Sequence, residues 1–301
     1  MRADRSAPAC AAAALALLSV GMAASASAST PAGPAASTPA APTRASTIAA
    51  PSRFEDFTVA MPRLGVDRTV RVYLPRGYTN CEGCRYPVVY FMDGQNVFDA
   101  ATSYAGEWGA DETLDDLLAK HDLAVIAVAV DHGDAERVHE LSVWENPQHA
   151  PAKGEAFLAD LVGAVKPAID ARYRTRPNAA STTIIGSSMG ALMAHAALLR
   201  HPEAFGAAIL LSPSYWFSPM VEAETAAMPL QPGQRVYLYA GGAESETMVP
   251  KARAMFRALR VVRDVDKVFV EIPEGQHNEA AWRAVLPSAL CFRFAPICEA
   301  R

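Results

Sequence analysis

Apolar positions along the chain recur as short continuous or alternating runs, with helical stripes between them. "RTVRVYLP" (68–75) alternates apolar and polar residues and predicts an early strand. "YPVVYFM" (86–92), "LAVIAVAV" (123–130) and "TTIIG" (182–186) are almost wholly apolar, the pattern of strands buried on both faces. "GAAILLS" (206–212), "RVYLYAG" (235–241) and "KVFVEIP" (267–273) complete the set. Helical spacing predicts a helix near 155–173, with Phe157, Leu158, Leu161, Val165 and Ile169 on one side and a kink at Pro167. Further helices are predicted near 188–201, 250–263 and 279–290, and Pro250 suits a first turn. This alternation implies an α/β fold with a mainly parallel sheet covered on both faces, without internal repeats. Binding sites in such sheets form at the carboxyl ends of the strands, so the residues that follow each strand matter most.

Composition narrows the setting. The chain has 301 residues, 51% of them hydrophobic, enough to bury one large core. The formal net charge of −5 and the lack of any basic run exclude nucleic acid as a partner. Arg2 and Arg5, the apolar stretch Ala9 to Ala24 and two Ala-Ser-Ala sites at 24–26 and 26–28 match a secretory signal peptide over 1–28. The stretch is shorter than the ~18 residues a spanning helix needs, so no stable membrane insertion is expected after cleavage. Cys10 lies inside this stretch, which argues against lipid attachment there. Residues 29–52 are nearly all Ala, Pro, Ser and Thr and are expected to be a disordered linker, leaving 53–301 as the folded domain. The expected location is secreted or periplasmic.

Export changes the reading of the cysteines. Cys81, Cys84, Cys291 and Cys298 remain after cleavage, and an even count in an oxidising compartment points to disulfides. Cys81 and Cys84 also have the spacing of half a zinc site or a redox pair, but Cys291 and Cys298 lack the spacing of a second zinc knuckle. Two bridges joining near neighbours, Cys81–Cys84 and Cys291–Cys298, are the favoured pairing of the three possible.

The candidate chemistry starts at Gly186-Ser187-Ser188-Met189-Gly190. Glycine at both flanking positions permits a sharp strand-to-helix turn that lifts Ser188 above the sheet. Gly-x-Ser-x-Gly alone recurs by chance in about one chain in ten of this length, given ordinary Gly and Ser usage. The preceding strand and the following helical stretch set this copy apart. Helix capping does not require the glycines, and Ser187 could cap instead. A serine hydroxyl needs a base. His195 and His201 lie along the helix after Ser188, and His121, His132, His139 and His149 precede the turn. His277, in "EIPEGQHNEAAW", alone follows the last strand. "RVYLYAGGAESE" offers Glu244 and Glu246 as the acid that orients the base; Glu244, nearer the glycine turn, is preferred. Backbone N–H donors for an oxyanion are expected from Met189 and from Gln95 in Asp93-Gly94-Gln95-Asn96. Asp93 has no surrounding ligand cluster, so neither a metal nor another cofactor is expected.

These stretches together resemble the esterase D group of α/β-hydrolases, which includes enterobactin-type, feruloyl and acetyl-xylan esterases, S-formylglutathione hydrolases and mycolyltransferases. The matching segments are "YPVVYFMDGQNVFD" (86–99), "WGADETLDDLL" (108–118), "GEAFLADLVGAVKPAIDARYRT" (154–175), "TTIIGSSMGALMA" (182–194), "LLSPSYWF" (210–217) and "GQHNEAAWRAVLP" (275–287). Ala191 stands where the family often has glycine, and the Cys81–Cys84 insertion is unusual. The resemblance implies an α/β-hydrolase fold with Ser188 as nucleophile, His277 as base, the acid after "LYAGG", and oxyanion donors at Gln95 and Met189. Together with the amino-terminal pattern, the reading is an exported serine esterase acting on a small-molecule, carbohydrate or siderophore ester. Acyl transfer to an alcohol on the same residues, or a binding protein that keeps the fold without the chemistry, are the alternatives. Trp216 and Trp282 are candidates for the substrate pocket or for core packing. Arg137 and Glu140 are expected to brace their loop rather than touch substrate.

Overall fold

The computed structural model describes residues 44–104, 106–260 and 264–298. The expected signal peptide, and the expected linker as far as residue 43, lie outside the described residues. From Arg44 onward the end of that segment is held against the loop at 99–107. Ser46 Oγ donates to Asp99 (2.9 Å), as does the Thr47 backbone N–H (3.0 Å), and Thr47 Oγ1 donates to Glu107 (2.6 Å).

The strands are β1 (Phe54–Met61), β2 (Val66–Tyr73), β3 (Val88–Met92), β4 (Ile126–Val130), β5 (Thr182–Ser187), β6 (Ala207–Leu211), β7 (Arg235–Gly241) and β8 (Asp266–Ile272). They form one sheet in the order β1-β2-β4-β3-β5-β6-β7-β8. The pairs β1/β2 and β2/β4 are antiparallel, and every pair from β4 to β8 is parallel. Among the described residues the helices are α1 (Ala110–His121), α2 (Arg137–Glu140), α3 (Gly154–Asp160), α4 (Lys166–Arg172), α5 (Met189–Arg200), α6 (Met220–Ala227), α7 (Met248–Ala258), α8 (Glu279–Arg293) and α9 (Ala295–Cys298).

The continuous apolar strands have two cores to fill. Successive side chains of a strand point to opposite faces. Val88, Tyr90 and Met92 of β3 enter one core cluster, and Val89 and Phe91 enter the other. In β4, Ile126, Val128 and Val130 separate from Ala127 and Ala129 in the same way. A sheet buried on both sides leaves its strand ends as the main places for polar chemistry.

All seven expected strands are present. β1 was not expected: its register with β2 runs from Phe54↔Tyr73 to Met61↔Val66. Its apolar side (Phe57, Val59, Met61) packs on the core, while Glu55 and Asp56 interrupt the pattern at its start. Helices α1 and α6 were also not expected. The helix predicted near 155–173 is continuous from α3 to α4 but carries a π turn at Leu161–Val165, just before Pro167. Proline lacks an N–H, so the ladder loses a bond at this point, and a π turn is one way of absorbing that loss.

Cys81 pairs with Cys84, and Cys291 with Cys298, as expected (Cα–Cα 5.4 and 5.5 Å). Among the described residues no helix is long and apolar enough to cross a membrane.

One buried carboxyl carries a pH signature. Asp111, in the first turn of α1, is buried, and burial followed by the charge of Glu112 pushes its pKa up to about 7. An unfolded Asp titrates near ~3.9, so the folded chain holds a proton that the unfolded chain releases across that interval. A raised carboxyl pKa favours folding at low pH, and this advantage is lost as pH rises through about 7. Asp111→Asn keeps the shape without the charge. Its Tm should therefore exceed that of the parent by an amount that grows between pH 4 and pH 8. Thermal denaturation across this range checks this; a pH-independent difference excludes Asp111 as the source.

Candidate active site

The turn after β5 has the geometry its glycines suggest. Ser188 has φ 54° and ψ −120°, outside the regions that L-residues favour. A Cβ on Gly186 would overlap the backbone of Gly190 and lie 2.8 Å from the nitrogen of Ala191. A Cβ on Gly190 would meet Asp93 Oδ2 at 2.6 Å and Met92 Cβ at 3.0 Å. The first glycine lets α5 fold back against β5; the second lets α5 approach the loop after β3. That approach brings the Met189 and Gln95 segments to the same strand end.

Ser188 Oγ lies 2.9 Å from His277 Nε2, and His277 Nδ1 lies 2.7 Å from Glu244 Oε2. The Glu244 carboxylate is buried while His277 is part-exposed. Glu246 is exposed. Glu244 Oε1 accepts two further hydrogen bonds, from Gly241 N–H and from Ser212 Oγ, both at 2.6 Å. Trp282 Nε1 donates to Ser212 Oγ at 3.0 Å, and its ring meets the His277 ring edge-on at 5.1 Å. Ser212 has φ 50°, a left-handed conformation at the end of β6. Ser214 adds a second hydroxyl, 3.2 Å from Ser188 Oγ, and its backbone N–H donates to the Ser188 carbonyl. Ser212, Ser214 and the indole N–H of Trp282 went unseen in the sequence. They converge from separate elements, and the only signal for the serines was their place just after a strand.

A cavity of about 600 Å³ opens over Ser188 and His277, with Asn96, Tyr104, His132, Arg137 and Trp282 among its lining residues. Trp282 lines it and is otherwise buried; Trp216 does not line it and is 53% exposed. Trp216 therefore belongs to the surface, against the expectation of a pocket or core position. Arg137 both lines the cavity and grips Asp93 through two hydrogen bonds (2.6 and 2.9 Å). Asp93 is thus an arginine partner. Glu140 braces the loop as expected: it accepts from Gly133 N–H (2.9 Å) and pairs with buried Arg68 (2.7 Å). The Gln95 side-chain amide exchanges two hydrogen bonds with the His132 backbone (2.9 and 3.1 Å). Burial holds His132 below the ordinary histidine range.

The other histidine of interest is His195 on α5. It is fully buried, bonded to Tyr215 (2.7 Å) and Thr225 (3.1 Å), and burial drops its pKa to about 4. It is a core residue whose ring nitrogens are held by Tyr215 and Thr225.

A family model described as "Putative esterase" matches residues 61–292. The YbbA protein of Bacillus subtilis is 24% identical over 203 residues, 65% of this chain and 76% of that one. Among solved structures, the BES protein of Bacillus cereus superposes with a TM-score of 0.67 at 20% identity, covering 80% of this chain and 95% of its own. The enterobactin esterase of Shigella flexneri gives 0.66 at 20% identity, covering 81% of this chain and 59% of its own. At this level of identity the structures share the fold.

Proposed function

Because the chain belongs to the "Putative esterase" family, we propose that it is an exported serine ester hydrolase working through an acyl-enzyme. The observation that carries this reading is the continuous line Ser188–His277–Glu244, with both hydrogen bonds at 2.9 Å or less. His277 Nε2 takes the Ser188 proton as Oγ attacks the ester carbonyl. The N–H groups of Met189 and Gln95 receive the charge on the carbonyl oxygen. His277 then delivers the proton to the departing alcohol, and the acyl group stays on Ser188. Water attacks that ester with His277 again as base, releasing the acid and restoring the serine. Glu244 holds the Nδ1–H tautomer and steadies the imidazolium at both stages. A non-catalytic binding role would not require this alignment.

The cavity bounds the substrate. About 600 Å³, with Tyr104 and Trp282 beside Arg137 and His132, suits an ester with both an apolar face and polar groups. The fold is shared with an enterobactin esterase, so siderophore esters join aromatic and acetyl-sugar esters in the test set. The two disulfides and the amino-terminal pattern support export. A fluorophosphonate probe should label Ser188, and a panel of p-nitrophenyl, siderophore, feruloyl and acetyl-sugar esters should identify the acyl group. Failure of both labelling and hydrolysis overturns the reading.

Ser212 and Trp282 position the acid in this scheme. Trp282→Phe keeps the ring beside His277 but removes the donor to Ser212. kcat should fall by about tenfold, roughly 1.4 kcal/mol, with KM little changed. Steady-state kinetics check it; a change in KM alone would make Trp282 a pocket wall and nothing more.

A further inference from the structure

We propose that His121, Cys291 and Cys298 form, when the Cys291–Cys298 bridge is reduced, a three-ligand site for a thiophilic divalent cation such as Zn²⁺. A ring nitrogen of His121 and the two sulfurs all lie within 4.8 Å of one another. Tetrahedral zinc, with bonds of ~2.3 Å to sulfur and ~2.0 Å to nitrogen, holds its ligand atoms roughly 3.5–4 Å apart. The two sulfurs, bonded to each other in the oxidised chain, can separate to that spacing once the bridge is reduced. The second observation is an orphan: His121 Nδ1 is buried with no hydrogen-bond partner among the described residues. Leaving such a group unsatisfied is unfavourable, and a bond to metal or the hydrogen bond of a metal-held imidazole would offset it.

The placement also favours a cation. His121 is the last residue of α1, and Cys291 lies in the last turn of α8. Helix carboxyl ends carry partial negative charge. None of these residues lines the catalytic cavity. The spacing of Cys291 and Cys298 is unlike a zinc knuckle because the third ligand comes from another helix, one folded against α8.

Disulfide and metal are exclusive states. A dithiol reductant gives the bridge two electrons and two protons and leaves as its own disulfide. Binding Zn²⁺ then releases the two thiol protons, one from each sulfur. A small-molecule disulfide reverses the sequence: it takes the two electrons from the thiolates and two protons from water, leaves as two thiols, and the re-formed bridge expels the ion. While the bridge is reduced, the ion would tie α9 to α1 and α8 in its place.

The test uses the full chain carrying Cys10→Ser, Cys81→Ser and Cys84→Ser, which removes the other thiols. The protein is reduced with dithiothreitol, desalted without oxygen and titrated with Zn²⁺ against a chromophoric chelator. One equivalent should bind to the reduced chain and none to the oxidised chain. Adding His121→Ala should weaken binding at least tenfold, and Co²⁺ should show thiolate charge-transfer absorption from two sulfurs. Ester hydrolysis, retained in all these variants, reports that they are folded. The proposal is overturned if reduced protein binds no more Zn²⁺ than a Cys291→Ser/Cys298→Ser control. It is equally overturned if removing His121 leaves the affinity unchanged.

Discussion

Ser188→Ala should abolish ester hydrolysis, with a loss on the order of 10⁶-fold in kcat, the scale found when the nucleophile of a serine triad is removed. The fold should survive. Ser188 sits at φ 54°, and alanine is no worse suited to that conformation than serine. The hydroxyl accepts nothing the core depends on; its side-chain partners among the described residues are His277 and Ser214. Circular dichroism and Tm should therefore match the parent while activity and fluorophosphonate labelling vanish. Ser187→Ala is the control. Ser187 is the last residue of β5 and lines the cavity beside Ser188, without a hydrogen bond to His277 among the described residues. It should retain most of the activity. A dead Ser187→Ala with an active Ser188→Ala would move the nucleophile by one residue and refute the mechanism.

Glu244→Gln should cost up to about 10⁴-fold in kcat, the effect of turning a triad acid into its amide. The carboxylate is buried and takes three hydrogen bonds, from His277, Ser212 and Gly241. An amide can satisfy part of that set. It cannot stabilise the imidazolium, and its NH₂ group can face His277 and impose the wrong tautomer. Glu246→Gln should change kcat by less than about tenfold, because Glu246 is exposed and lies outside this set. Measuring both variants side by side separates the two carboxylates. A large loss confined to Glu246→Gln reverses the assignment, and small losses in both leave a serine–histidine dyad.

The difference between these two glutamates was only partly legible from the chain. Both follow the same glycine turn, and nearness to that turn favoured Glu244. The structure adds the reason. Gly241 has no room for a side chain, since a Cβ there would overlap Gly275 and lie 2.8 Å from Glu244 Oε1. The turn thus folds Glu244 back beneath the histidine loop while Glu246 continues outward. Trp282 could not be assigned from sequence. Its apolar neighbours in α8 suit a core residue, and only the folded chain brings its N–H to Ser212. Trp216, an equal candidate by sequence, ends on the surface.

The amino-acid order alone determined the doubly buried strands, since a sheet covered on both faces tolerates apolar residues at every position. It also determined the strand–glycine–serine–glycine–helix turn, because that backbone geometry requires glycine at particular places. Both are local constraints, written in adjacent residues. β1 escaped because it is an edge strand whose charges obscure its apolar side, and α1 because acidic residues surround its short stripe of Ala110, Leu114 and Leu117. What only the tertiary structure decided was which polar groups meet. The Ser212–Trp282 support of Glu244, the Asp93–Arg137 clamp and the approach of His121 to the carboxyl-terminal cysteines each join residues from separate elements. Sheet order and helix packing set those meetings, and no short stretch of sequence encodes the distance between elements far apart in the chain.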